Sequence, residues 1–169
     1  RLLLVSHYNY FRNFETVLRA LAIARHRTGG RIQLVLTTIL GRKLRDQGYD
    51  TTEAARLVQE LRLEDAVIML GSVAQDEIAT LQGLCDAAIA PAYVESFGYP
   101  MVEAMGCGRP VLAADTAVHR EVCQDAALYF PVFDAQALAD QMLRLVQSAE
   151  LVGQLTERGR HRSRQFPWA

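Results

Sequence analysis

Short apolar runs alternate along the chain with longer stretches in which apolar residues recur every three or four positions. Leu2 to Ser6 is a run of the first kind and reads as a strand. From Asn13 to about Thr28, Phe14, Val17, Leu18, Leu21 and Ala22 fall at the helical spacings i, i+3, i+4, i+7 and i+8, and Gly29-Gly30 stops the helix. Ile32 to Thr38 predicts a second strand. The polar stretch from Arg42 to Asp50 reads as a loop, after which Asp50 and Glu53 are spaced as a capping box for a helix ending near Leu61. Ala66 to Leu70 predicts a third strand, closed by Gly71-Ser72, and Asp76 to about Leu84 a helix. A fourth strand at Ala87 to Ala90 stops at Pro91, and a loop follows from Ala92 to Tyr99. Pro100 suits the first position of a helix reaching about Gly106. Val111 to Ala114 and Leu128 to Phe130 predict two more strands around a helical turn at Val118 to Val122. Helices at about Ala135 to Gln147 and Leu151 to Gln165 complete the pattern. Strands alternating with helices of this length predict an α/β fold: a Rossmann-like, doubly wound parallel sheet of about six strands with helices on both faces. No internal repeat, linker or low-complexity segment interrupts it.

Composition narrows what such a domain does. The chain has 169 residues, 50% hydrophobic and 22% charged, enough apolar surface for one folded domain. No apolar run approaches the ~20 residues of a membrane-spanning helix. The formal net charge of -1 disfavours a nucleic-acid module. The arginines at 158, 160, 162 and 164 are spaced by two, which spreads them around a helix and fits solvent exposure better than a binding stripe. Cys85, Cys107 and Cys123 are odd in number and lack metal-knuckle or redox spacing, so they read as three small buried thiols in a reducing compartment, with a cleft-side position the alternative, mainly for Cys107. The chain starts at Arg1 on a strand and ends just past Phe166-Pro167-Trp168, and both ends read as cuts from a larger protein.

Ligands of doubly wound sheets bind at the carboxyl ends of the strands. The loops that matter are therefore 7–12, 71–76, 92–99 and 115–119. The third of these runs into a helix as Glu95-Ser96-Phe97-Gly98-Tyr99-Pro100-Met101-Val102-Glu103. A helix N-terminus offers unpaired N–H groups and a positive dipole end, and Gly98 allows close approach of a ligand to the backbone, which together suit a phosphate. Glu95 lies before that helix and Glu103 about one turn inside it, and carboxylates accept hydrogen bonds from sugar hydroxyls. A diphosphate at the helix tip flanked by hydroxyl-bearing groups describes a nucleotide sugar. Acidic residues in a first helical turn also occur for dipole reasons alone. His119 follows the fifth strand at the same end; a plain loop residue is the simpler reading of it, with a cleft position the alternative. His26 and His161 sit in polar stretches and read as surface residues.

The same segment resembles the E-x7-E motif of family 4 of the retaining GT-B glycosyltransferases. Seven residues separate Glu95 from Glu103, Phe97-Gly98-Tyr99-Pro100 is similar to F-G-(apolar)-P, and Glu103-Ala104-Met105 with Gly108-Arg109-Pro110-Val111 resembles E-A-M…G-x-P-V. The likeness extends over Val5 to Asn13, Leu70 to Val73, Glu121-Val122, Ala126 to Phe130 and the F-x-W at 166–168, nearly the whole chain. The resemblance implies the C-terminal, donor-binding domain of a two-domain enzyme, with an N-terminal acceptor domain outside this chain. It implies that Glu103 binds ribose hydroxyls and Glu95 hydroxyls of the transferred sugar. Backbone N–H groups among Ser96, Phe97, Gly98, Tyr99, Met101 and Val102 would hold diphosphate and sugar, and Ser72 and Val73 would border the base. The family carries an Arg and, five residues on, a Lys against the diphosphate; here these positions hold His7 and Arg12. Arg12 keeps a fixed charge, whereas His7 is only partly charged near neutrality.

The activity so implied is transfer of a sugar, with retention, from a nucleoside diphosphate to an acceptor hydroxyl, in polysaccharide or glycolipid synthesis. The expected catalytic residues are Glu95, Arg12 and His7. No cofactor and no metal are expected, in keeping with the absence of any D-x-D pair. The implied partners are the nucleotide-sugar donor and an acceptor glycan or glycolipid held by the N-terminal domain, with no nucleic acid. The implied location is cytoplasmic, with room for peripheral contact at the inner face of a membrane, and the isolated fragment is expected to turn over little. The alternative is a catalytically degenerate GT-B subunit with a binding or regulatory role, which the His7 substitution favours. A phosphorylase-like enzyme would need a pyridoxal lysine, and Lys43, the only lysine, lies in a polar early loop. A glycosidase would need Glu95 and Glu103 to flank one glycosidic bond, against the phosphate-type helix start between them. A receiver domain would need carboxylates after the first strand, where Ser6-His7-Tyr8-Asn9 has none.

Overall fold

Six three- or four-residue strands pair in parallel throughout. They are β1 (Leu2–Leu4), β2 (Leu34–Leu36), β3 (Val67–Met69), β4 (Ala87–Ala90), β5 (Val111–Ala114) and β6 (Ala127–Phe130), in the order β3-β2-β1-β4-β5-β6. The computed structural model describes residues 1–41 and 50–166. The loop expected over 42–49, Lys43 in it, and the Pro167-Trp168 end of the F-x-W motif lie outside the described residues. Among the described residues seven α-helices connect or follow the strands: α1 (Phe14–Thr28), α2 (Thr52–Glu60), α3 (Gln75–Leu84), α4 (Tyr99–Gly106), α5 (Ala117–Cys123), α6 (Ala135–Gln147) and α7 (Ala149–Ser163). Among the described residues no helix is long and apolar enough to cross a membrane.

The strands are apolar on both faces because each face is roofed. Leu2, Leu4, Leu34, Leu36, Ile89, Leu112 and Phe130 pack with Phe14, Val17, Leu18 and Leu21 of α1 and with Leu138 and Met142 of α6. Ala88, Val111 and Ala113, one register position away, face Met101, Val102 and Met105 of α4. Side chains alternate across a strand, so Leu3 points opposite to its neighbours and meets Val35 and Cys85. Each such fully buried leucine contributes about 1.5–3 kcal/mol over an exposed one.

The first two strands are shorter than their apolar runs. Beyond Leu4 the ladder ends because the Ser6 N–H donates to the Thr37 hydroxyl at 2.9 Å instead of to a strand carbonyl. The expected capping box at Asp50 and Glu53 does not form. Thr51 is the residue before α2, Asp50 accepts the Thr52 N–H at 2.9 Å, and the Arg56 guanidinium takes the Glu53 carboxylate at 2.6 and 3.0 Å. A bidentate cation outcompetes a single backbone N–H for that carboxylate.

β1 sits between β2 and β4, so the chain's crossovers run in opposite directions on either side of it. The loops after β1 and β4 therefore part at this point and leave a crevice between them.

Candidate functional site

The loop after β1 is anchored across the crevice to the loop after β4. Asn13, at φ 56°, donates through Nδ2 to the Pro91 carbonyl at 3.2 Å and accepts the Thr16 hydroxyl at 2.6 Å. The Tyr93 N–H reaches the Phe11 carbonyl at 3.1 Å. Between them a single helical turn, Tyr10–Arg12, is begun by Asn9, whose side chain accepts from the Phe11 N–H. This scaffold holds the Arg12 guanidinium against the Glu95 carboxylate, and the two form a mostly buried ion pair. The second Glu95 oxygen accepts the Ser96 N–H at 3.0 Å. A guanidinium has five N–H donors, so Arg12 can serve Glu95 and a further acceptor together.

Gly98 opens α4 at φ 88°, a left-handed conformation that side chains resist, and Pro100 follows within the first turn. A Cβ at Gly98 would lie 2.3 Å from the Met101 Cε, so the absent side chain keeps the cleft floor clear. The helix start is less generous with donors than the sequence implies. Ser96 N–H serves Glu95, Met101 N–H serves the Gly98 carbonyl at 3.0 Å, and Pro100 has none. The Val102 side chain is fully buried in the core, and Phe97 packs edge-on against Phe166 at 5.5 Å and against Tyr99 at 5.1 Å. Of the apolar residues singled out in this segment, Met101 lines the cleft with its side chain.

Glu103 lies one turn along α4 and accepts from the Gln75 amide, at the start of α3, at 2.9 Å. Gln75, Cys107 and Glu103 share a cleft of about 290 Å³. Gln75 also borders a larger cavity of about 500 Å³ built from the ends of β1, β2 and β3, with His7, Thr38, Ser72 and Val73 in its wall. Ser6 lines both this cavity and the pocket that holds Arg12, Glu95, Gly98, Met101 and His119. The trough thus runs from Glu103 past Gln75, Ser72 and His7 to Arg12 and Glu95, and it brings together the sequence-selected His7, Arg12, Ser72, Val73, Glu95, Gly98, Met101 and Glu103. Two grooves of about 440 Å³ along α7 are lined by Gly106, Ser163 and residues such as Arg160 and Arg164, away from any strand end.

At three residues the structure goes beyond the favoured sequence reading. His119 takes the cleft position that was the alternative reading: it lies in the first turn of α5, is fully buried in the pocket wall that includes Arg12 and Glu95, and donates through Nδ1 to the Ala114 carbonyl at 2.8 Å. Burial holds its pKa below the usual imidazole value. Arg162 is not a solvated helix residue: it donates to the carbonyls of Glu121 and Val122, both at 2.8 Å, and covers the Phe166 ring. Gln75 carried no signal, because its role depends on α3 and α4 meeting. The thiols of Cys85 and Cys123 are buried, that of Cys123 pushed up to about 12 by burial, while Cys107 faces the cleft beside Glu103.

The chain is similar to known proteins. The family described as "Glycosyl transferases group 1" matches residues 1–162. O-antigen chain mannosyltransferase B of Escherichia coli is 27% identical over 157 residues, 93% of this chain and 39% of that enzyme. Sucrose-phosphate synthase of Thermosynechococcus elongatus superposes with a TM-score of 0.81 at 27% identity, covering 97% of this chain and 40% of its own. The Anabaena protein HepE, solved with UDP-glucose, superposes with a TM-score of 0.84 at 22% identity, covering 97% and 43%. The chain therefore spans about two fifths of each of these proteins.

Proposed function

The chain belongs to the group 1 glycosyl transferases, and from that premise we propose that it is the C-terminal, donor-binding half of a retaining GT-B enzyme. It binds a nucleoside-diphosphate sugar, and the whole enzyme transfers the sugar to a glycan or glycolipid hydroxyl supplied by an N-terminal domain. The observation that carries this reading is the Arg12–Glu95 pair beside Gly98 at the crevice, with Glu103 one helical turn away. In this reading Glu103 accepts the ribose hydroxyls, exchanging its Gln75 partner for them. Ser72 and Val73 border the base. Arg12, His7 and the α4 N-terminus meet the charge that grows on the departing diphosphate, and no metal ion or other cofactor is required. Glu95 orients the sugar. The acceptor oxygen attacks the anomeric carbon on the face the diphosphate leaves, and a donor phosphate oxygen takes its proton.

The test is calorimetric titration of the chain with UDP, GDP, ADP and TDP and their common sugars, beside Glu103→Ala. One nucleotide series should bind saturably, and Glu103→Ala should weaken it by about tenfold to a hundredfold, the loss expected for hydrogen bonds to a charged group. A folded sample that binds none of them, alone and in the full-length protein, sinks the reading.

A further inference from the structure

Two buried polar atoms near the crevice have no hydrogen-bond partner among the described residues: Arg12 Nε and His119 Nε2. They line one pocket, whose free space of about 30 Å³ lies among Ser6, Glu95, Gly98 and Met101. Leaving both unpaired is costly, so a native fold that retains them has a use for them. Their hydrogen-bonding characters differ. Arg12 Nε can only donate. The Ala114 carbonyl can only accept, so His119 Nδ1 carries the ring proton and Nε2 presents a lone pair. Burial and the neighbouring guanidinium both disfavour protonation, which keeps Nε2 an acceptor at neutral pH.

A group that fits must accept from Arg12 and donate to His119 within the volume of about one oxygen. A phosphate or carboxylate oxygen has no proton to give, and an ammonium group has no lone pair to receive. A hydroxyl has both. We propose that Arg12 Nε and His119 Nε2 form a subsite for one hydroxyl of the transferred sugar, so that His119 is a donor-recognition residue. This inference rests on the donor-site reading above and deepens it. Glu95 on the same wall then meets a neighbouring hydroxyl, and the sugar is held by a three-residue set drawn from the loops after β1 and β4 and from α5.

The test separates sugar from nucleotide. His119→Asn keeps an N–H at the Nδ1 position for Ala114 but places nothing at Nε2, whereas His119→Gln reaches the Nε2 position. Calorimetric titrations with UDP, GDP, ADP and TDP and their common sugars should give unchanged nucleoside-diphosphate affinity in His119→Asn. The nucleotide sugar of the preferred series should bind about tenfold more weakly, with much of the loss recovered in His119→Gln. Titration of the native chain with monodeoxy derivatives of that nucleotide sugar gives a readout independent of the variants' folding: one derivative should lose about the same factor. If nucleotide and nucleotide sugar weaken equally in His119→Asn, or if every monodeoxy derivative binds like its parent, the pocket holds a structural water and the subsite is overturned. If no nucleoside diphosphate binds at all, the donor-site reading has failed and the subsite falls with it.

Discussion

Gly98 and His119 show how much of this site depends on single residues. At Gly98 the backbone occupies left-handed space at φ 88°, and any Cβ meets the Met101 methyl. The methyl can swing aside, but the backbone strain remains. Gly98→Ala should cost about 1–2 kcal/mol in thermal or denaturant unfolding, and it should lower donor affinity because Met101 is displaced into the cleft. His119 makes a different prediction. Its folded pKa lies below the ordinary 6.5, so below about that pH the unfolded chain binds a proton that the folded chain resists. Stability should therefore fall as pH drops from near 6.5 toward the lowered folded value and level off beneath it. Glu95 and Arg12 face the ring and act in opposite senses, and His119→Asn should flatten this part of the unfolding pH profile while leaving the rest. Gly98 was legible because glycine ahead of proline at a helix start states its own backbone requirement. His119 was legible only as a residue after the fifth strand with a cleft position as its alternative; its burial beside Arg12, more than a hundred residues away along the chain, carried no local signal.

Whole elements were easier to read than their ends. Period and breakers located the six strands and seven α-helices of the described residues, since each buries a face whose spacing the sequence repeats. The ends moved where side chains intervened: Thr37 cut short the first strand pair, and Arg56 withdrew Glu53 from the cap expected of it. Helix α7 holds two glycines that look alike in sequence and differ in packing. Gly159 is buried against α4, and a Cβ there would meet Met105 Cγ at 3.3 Å. Gly153 is exposed with nothing nearby. Gly159→Leu should destabilise the chain by about 1–3 kcal/mol through forced separation of α4 and α7. Gly153→Ala should stabilise it by about 0.5–1 kcal/mol through lost chain entropy. Urea denaturation of both variants checks the pair. Any displacement of α4 in Gly159→Leu also moves Glu103, so its binding defect should exceed that of an equally destabilising change in α1.

At the scale of the molecule, the strand order decides where chemistry can occur. A crevice forms where the crossovers part, beside β1, and the two carboxylates, Arg12, His7 and His119 converge there from three separate stretches of chain: the loop after β1, the loop after β4 with α4, and α5. The alternation of strands and helices made that convergence predictable in outline, and the loops after the strands supplied most of its residues. It could not reveal the Gln75–Glu103 bond or the buried imidazole, which exist only once α3, α4 and α5 have docked. The Arg12–Glu95 pair has a further effect, on the speed of encounter. A cation already joined to a carboxylate projects almost no field beyond about one Debye length, and the chain's net charge of -1 adds no attraction. An anionic nucleotide should then arrive at the unassisted rate, about 10⁵–10⁷ M⁻¹s⁻¹, with little dependence on salt. Glu95→Gln exposes the Arg12 charge, and stopped-flow association should become faster at low ionic strength and clearly salt-sensitive. In the native protein the resting pair leaves arrival nearly indifferent to ligand charge, so selection among nucleotides falls to how long each one stays.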